Sequence, residues 1–226
     1  AHREAAITSA AEAIAADTGA EVLPIVADLS TPDAPARAVA ATVERFGALD
    51  ILVTNTGGPP SAPFEALPDE TWQAAFDSLV MGPVRLCRAA VPHMRARGGG
   101  RIIHITSIST KQAESGLCLS NSVRMAVSGL SKTLANELAP DRILVNCVAP
   151  GFTRTERVTD ITRAVAARQG TTPDEVEAGI VRQIPLGRLG EPRELADLIV
   201  FLASDRGSYI TGTTIQVDGG LVRGTL

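Results

Sequence analysis

Five short apolar runs alternate with segments of helical period along this chain, and that alternation limits the possible folds more than any single motif does. The runs are Glu21–Leu29 (EVLPIVADL), Asp50–Thr54 (DILVT), Arg101–Thr106 (RIIHIT), Ile143–Val148 (ILVNCV) and Thr214–Val217 (TIQV). They lack strict polar–apolar alternation, the mark of strands covered on both faces. Helices are expected over Asp33–Phe46, closed by Gly47, over about Asp69–Arg97 with a bend or break at Gly82-Pro83, and over about Leu119–Leu138. A short helix is expected over Asp174–Gln183, and another from Glu191-Pro192 through Ala203. The pattern predicts an α/β protein, a doubly wound and mostly parallel sheet in three α/β/α layers, as a single domain over residues 1–226. Ligands of such sheets lie beyond the carboxyl ends of the strands. Those ends carry Asp28, Asn55-Thr56-Gly57, Ser107 and Pro150-Gly151.

Composition narrows the function classes. With 45% hydrophobic and 20% charged residues the chain can bury a sizeable core. Twenty-five acidic against 21 basic residues give a net charge of −4, which argues against a nucleic-acid surface. Cys87, Cys118 and Cys147 stand about thirty residues apart, a spacing that fits neither a disulfide framework nor a zinc site, so reduced thiols and no metal are expected. No apolar run approaches the ~20 residues of a membrane span and no signal-peptide pattern is present, so a cytoplasmic location is expected. The opening AHREAAITSAAEAIAADTGAEV lies inside a helical pattern, with Ile7, Ala10, Ala11 and Ile14 at helical spacing and Gly19 as its stop. It reads either as a surface helix at a terminus or as a helix whose upstream residues are missing.

Four stretches, in order and spanning the whole chain, resemble the short-chain dehydrogenase/reductase family. LDILVTNTG is similar to the family's strand ending in Asn-Asn-Ala-Gly, and GRIIHITSIS to the strand that delivers the catalytic serine. VNCVAPGFTRT resembles the Pro-Gly segment that meets the nicotinamide, and IPLGRLGEPRELADLIVFLASDRGSYITGTTIQVDGG resembles the C-terminal signature. The resemblance implies a Rossmann-like fold. It also implies an opening βαβ unit whose Thr-Gly-x-x-x-Gly-x-Gly turn holds the cofactor's diphosphate. No such turn occurs in these 226 residues, so that unit, about 30 residues long, is expected upstream of Ala1.

The resemblance places Ser107 at the catalytic serine, where it would hydrogen-bond the substrate oxygen. Thirteen residues on, where the family has its tyrosine, stands Ser120; Arg124 replaces the family's lysine, and Leu79 in FDSLVMG falls where its asparagine would be. The single tyrosine, Tyr209, lies in the C-terminal signature and is not available to this helix. A phenol titrates near 10 and a neighbouring ammonium can lower it, whereas a serine hydroxyl is a far weaker acid. Arg124 cannot shuttle protons, but its fork can bind ribose hydroxyls or stabilise an alkoxide; a solvated helix charge is the other reading. Lys111, in the loop STKQAESG, is the candidate proton donor if it faces the pocket near Arg124, and otherwise an ordinary solvated lysine. Glu114 is a weaker candidate on the same loop. His104 lies three residues before Ser107, so strand alternation turns it toward the core. Cys118 lines the pocket or is a small buried thiol.

On the cofactor side the resemblance assigns Asp28 and Leu29 to the adenine, Asn55, Thr56 and Gly57 to the adenosine ribose, and Pro150, Gly151, Thr153 and Thr155 to the nicotinamide carboxamide. NADP or NAD is the implied cofactor, with NADP slightly favoured by His2-Arg3. Residues 152–190 are expected as a substrate lid holding one short helix, and its Arg154, Arg157, Arg163 and Arg168 either recognise an acidic or acyl-carrier substrate or are solvated. The implied activity is oxidoreduction of a ketone or 3-oxoacyl-type carbonyl, or of the corresponding alcohol. The altered residues leave a catalytically silent nucleotide-binding or scaffold subunit as the alternative. A homotetramer or homodimer is expected from the two long helices.

Overall fold

The computed structural model describes residues 4–225. Helices α1 (Glu4–Thr18) and α2 (Ala34–Phe46) precede strand β1 (Ile51–Asn55). Helices α3 (Asp69–Phe76) and α4 (Gly82–Arg97) lead to β2 (Gly100–Ile105), and α5 (Cys118–Leu138) to β3 (Ile143–Pro150). Helices α6 (Glu156–Gln169), α7 (Pro173–Val181) and α8 (Pro192–Ala203) then precede β4 (Thr214–Val217). The strands form one parallel sheet in the order β1-β2-β3-β4, so every connection is a crossover through helices.

Three layers result. On one face Leu52, Ile102 and Val145 pack against Leu86, Cys87, Ala90 and Met94 of α4 and Ala135 and Leu138 of α5. On the other, Ile103, Ile105 and Val148 meet Leu202 of α8. That second cover does not reach β1, where Ile51 and Val53 remain 45% and 43% exposed while Leu52 and Thr54 are buried.

Three expectations are corrected. Glu21–Leu29 joins no ladder and enters a turn at Leu29: among the described residues no strand pairs with the outer edge of β1, so its backbone has no partner strand. It is held from the side instead. Leu29 packs on the α4 core, Arg85 Nη1 donates to the Ser30 carbonyl at 2.8 Å, and Glu21 pairs with Arg45 of α2. The expected bend at Gly82-Pro83 is a π-helical turn over Asp77–Met81, in which the Gly82 N–H bonds to the Asp77 carbonyl. Pro83 lacks the N–H that would continue the α pattern, and the wider turn relieves its clash with the preceding turn. Residues 152–190, expected as a lid with one short helix, hold two helices, α6 having been hidden by its Arg- and Thr-rich exterior.

Asn146, 2% exposed, ties β3 to the approach to β4. Its Nδ2 donates to the Ile210 carbonyl at 2.8 Å and its Oδ1 accepts the Thr213 N–H at 3.3 Å. His104 lies in the core as expected, fully buried, with Nδ1 2.7 Å from Thr54 Oγ1. Burial lowers its pKa from 6.5 to about 4, and raises that of the neighbouring Cys87 thiol to about 12. The native pKa lies below the unfolded one, so as pH falls from about 6.5 to about 4 the unfolded chain binds a proton that the native chain refuses. The resulting loss of stability is on the order of 3 kcal/mol. In urea unfolding between pH 6.5 and 5, His104→Leu is expected to be less stable than wild type at the upper end but to lose less on acidification; parallel pH slopes would assign the loss to other groups.

Candidate active site

The parallel ladders bring the ends of β1, β2 and β3 to one edge of the sheet, and the site is built there. At the end of β2 the N–H and hydroxyl of Thr106 both donate to the Val148 carbonyl, at 2.8 and 3.1 Å, carrying the β2–β3 pairing one residue further. Ser107 follows in extended backbone and caps a single 3-10 turn, Ile108–Thr110, its Oγ accepting the Ser109 N–H at 3.1 Å. The turn aims Ser109 at the first turn of α5, where its Oγ lies 3.1 Å from Ser120 Oγ. Both hydroxyls are buried, 5% and 8% exposed. Ser107 and Ser120 are thus joined through Ser109, which sequence reasoning did not single out; its position two residues after Ser107, across one turn, is the signal that could have found it.

Arg124 lies four residues after Ser120, on the same face of α5, and is also buried. Its Nη1 and Nη2 approach the carbonyls of Ile105 and Gly57, both at 3.4 Å. Its pKa is lowered to about 10, first by burial and then by the positive charge of Arg157. Arg157 reaches in from α6, donating from Nη2 to the Pro59 carbonyl at 2.8 Å. Leu79 turns into an apolar cluster with Leu119 and Val123 and offers no polar atom.

Asn121 fixes the loop between the 3-10 turn and α5. Its Oδ1 accepts the Glu114 N–H at 3.2 Å and its Nδ2 donates to the Glu114 carbonyl at 2.8 Å, a clamp that sequence reasoning also missed. Lys111 is exposed at the end of the 3-10 turn, so the burial expected to tune it is absent; Glu114 and Cys118 are half-buried.

The cofactor-side residues separate into two groups. Asn55 and Gly57 are exposed, and the space where Gly57 would carry a Cβ is open. A cavity of about 470 Å³ beside them is lined by Gly57, Gly58, Pro59, Glu70 and Ser78. Pro150-Gly151 runs so close to Asp218 that a Cβ on Gly151 would lie 2.8 Å from its Cα, and the Gly151 N–H donates to the Val217 carbonyl. Thr153 pairs through its backbone with Gly190, leaving its hydroxyl without a partner among the described residues, while the Thr155 hydroxyl donates to the Thr153 carbonyl. Thr56 and Pro150 are half-buried beside these. Asp28 instead closes its own turn, accepting from the Ser30 N–H and hydroxyl, and Leu29 packs inward. Asn55, Gly57 and Thr153 therefore remain open at the strand ends, whereas Asp28 and Leu29 are engaged within their own segment. His2-Arg3, on which the nucleotide preference rested, lie outside the described residues.

This geometry has close counterparts. A family model described as enoyl-(acyl carrier protein) reductase matches residues 1–222. An uncharacterized oxidoreductase of Methylorubrum extorquens is 37% identical over 210 residues, covering 93% of this chain and 80% of its own. The 3-oxoacyl-[acyl-carrier-protein] reductase FabG of Thermotoga maritima is 33% identical over 202 residues, covering 89% and 78%. The crystal structure of the L-sorbose reductase of Gluconobacter frateurii, complexed with NADPH and L-sorbose, superposes with a TM-score of 0.93 at 34% identity, covering 99% of this chain and 85% of that one. Sequence likeness along nearly the full length and a closely superposing fold lead to one conclusion: the chain belongs to the short-chain dehydrogenase/reductase family and is an oxidoreductase of that fold.

Proposed function

We propose that the protein is an NAD(P)-dependent oxidoreductase acting on a ketone or 3-oxoacyl-type carbonyl, with NADP favoured. A hydroxyl pair and a guanidinium do the work that the family gives to tyrosine and lysine. The observation that carries this reading is the buried Ser109–Ser120 contact joined to Ser107 and followed by Arg124 one helical turn later.

When bound, the nicotinamide supplies the hydride donor or acceptor for the substrate carbon. Asn55, Thr56 and Gly57 hold its ribose side and Pro150, Gly151, Thr153 and Thr155 its carboxamide, while Asp28 and Leu29 border the adenine. Ser107 and Ser120 donate to the substrate oxygen, and the fixed charge of Arg124 stabilises the negative charge that grows there. Ser120 is too weak an acid to give up its proton for good, so it passes one on and is replenished through Ser109. Lys111, at the solvent end of the turn that carries Ser109, delivers that proton. The protein works in the cytoplasm as a homotetramer or homodimer. Exposed Phe76 and Met125 near α3 and α5, and Val200, Phe201 and Tyr209 near α8, support that assembly. Among the described residues no helix is long and apolar enough to cross a membrane.

Ser120→Ala is expected to lower kcat for carbonyl reduction by about 100-fold or more while the Kd for NADPH, measured by fluorescence titration, stays within about twofold. Retention of kcat would remove the hydroxyl pair from the chemistry. Lys111→Met is expected to abolish turnover at the same cofactor affinity, and an unchanged rate would assign the proton to solvent alone.

A further inference from the structure

Two guanidinium groups from different layers meet at the end of β1, and among the described residues neither forms an ion pair with a carboxylate. Other arginines of the same lid are matched: Arg154 pairs with Glu177 and Glu191, Arg163 with Asp160, and Arg188 with Glu194. Arg157 instead reaches inward to the Pro59 carbonyl. Beneath it Arg124 is buried with only two carbonyl oxygens for company, each at 3.4 Å, the far end of hydrogen-bond range. A buried cation with weak neutral acceptors is costly, and a second cation beside it adds repulsion that only an anion removes. Burial first, and then the charge of Arg157, lower the pKa of Arg124.

The backbone is shaped for the second guanidinium. A Cβ on Gly58 would lie 2.6 Å from Arg157 Nη2 and 2.7 Å from its Cζ, so only glycine lets the fork lie flat against the chain there. The distance to the chemistry is also set: Arg124 follows Ser120 by one helical turn, a rise of about 6 Å. A planar fork matches a carboxylate with two parallel hydrogen bonds, which a lysine cannot do.

We propose that Arg157 clamps the carboxylate of a short oxo-acid substrate over Arg124, whose charge serves the carbonyl oxygen resting on the Ser109–Ser120 side. The substrate class is thereby narrowed to an oxo acid within the carbonyl-reductase reading above, on which this inference rests. The diphosphate of the cofactor is the other oxyanion that could meet these groups. The clamp sits one turn from the hydroxyl pair and is completed by the lid, which places the anion on the substrate.

The test is calorimetric titration at low ionic strength. NADPH is titrated first; then, with and without it, 3-oxobutanoate and 4-methylpentan-2-one, in which an isopropyl group replaces the carboxylate. Wild type is expected to bind the acid at least about tenfold more tightly than the ketone. Arg157→Gln is expected to lose that preference with its NADPH affinity within about twofold of wild type, and Arg157→Lys to restore part of it. Equal affinity for the two probes, or no binding of the acid, overturns the clamp. So does an Arg157→Gln variant that loses NADPH affinity instead, which would move the anion to the cofactor. Failure of wild type to bind NADPH strikes the oxidoreductase reading, whereas NADPH binding without an acid preference strikes only the clamp.

Discussion

The β2–β3 ladder carries the molecule. Six residue pairs, from Gly100↔Ile143 to Ile105↔Val148, align two strands that are almost wholly buried. Because the ladder is parallel, both strands end on the same side, and every loop that follows a strand is delivered there. Thr106 extends the pairing by one residue through two bonds to the Val148 carbonyl, which decides where Ser107 leaves the sheet. From that point the 3-10 turn, Ser109 and the start of α5 follow with little freedom, and Asn121 pins the loop between them. The geometry at this edge is therefore inherited from main-chain hydrogen bonding in the core.

Within that frame the electrostatics differ from what a phenol and an ammonium would create. A serine pair holds an oxygen firmly but has almost no acidity near neutral pH, so charge stabilisation has to come from elsewhere. Arg124 is the fixed charge beside them: with its pKa lowered to about 10 it stays protonated at neutral pH despite burial. Leu79 closes that side with an apolar contact to Leu119 and Val123.

Much of this was legible from residues alone. Thr214–Val217 and the last residue of α5, Leu138, coincide with their expected bounds, because an apolar run ended by Asp-Gly-Gly and a helix ended before Pro140 leave little choice. Glu21–Leu29 has the composition of a buried strand, yet a strand is defined by its partner, and propensity cannot supply one. In α6 the inward positions Val158, Thr162 and Ala166 do recur at helical spacing, but their signal is diluted by the charged residues around them. Ser107, Ser120 and Arg124 were singled out by their match to the family's motif positions along the chain. Ser109 and Asn121 were not, because their roles arise from contacts across a turn that only the folded backbone brings together.

The π-helical turn before Gly82 has a consequence for how this chain tolerates change in length. It accommodates one residue more than an α-helix would over the same rise, so in sequence α3 and α4 are offset by one position. Loss of a single residue from Asp77–Met81 would restore an unbroken α-helix and leave the helices on either side in their present phase, whereas loss of one from the regular turns of α4 would rotate everything before it by about 100°. Ala75 and Leu79, now packed toward Leu119 and Val123, would swing off that contact, and the segment that follows β1 would be carried round with them. Substitutions in the π-helical turn are matters of side-chain fit. A one-residue deletion there would be absorbed by the turn itself, making this stretch more forgiving of length variation than the regular helical turns that flank it.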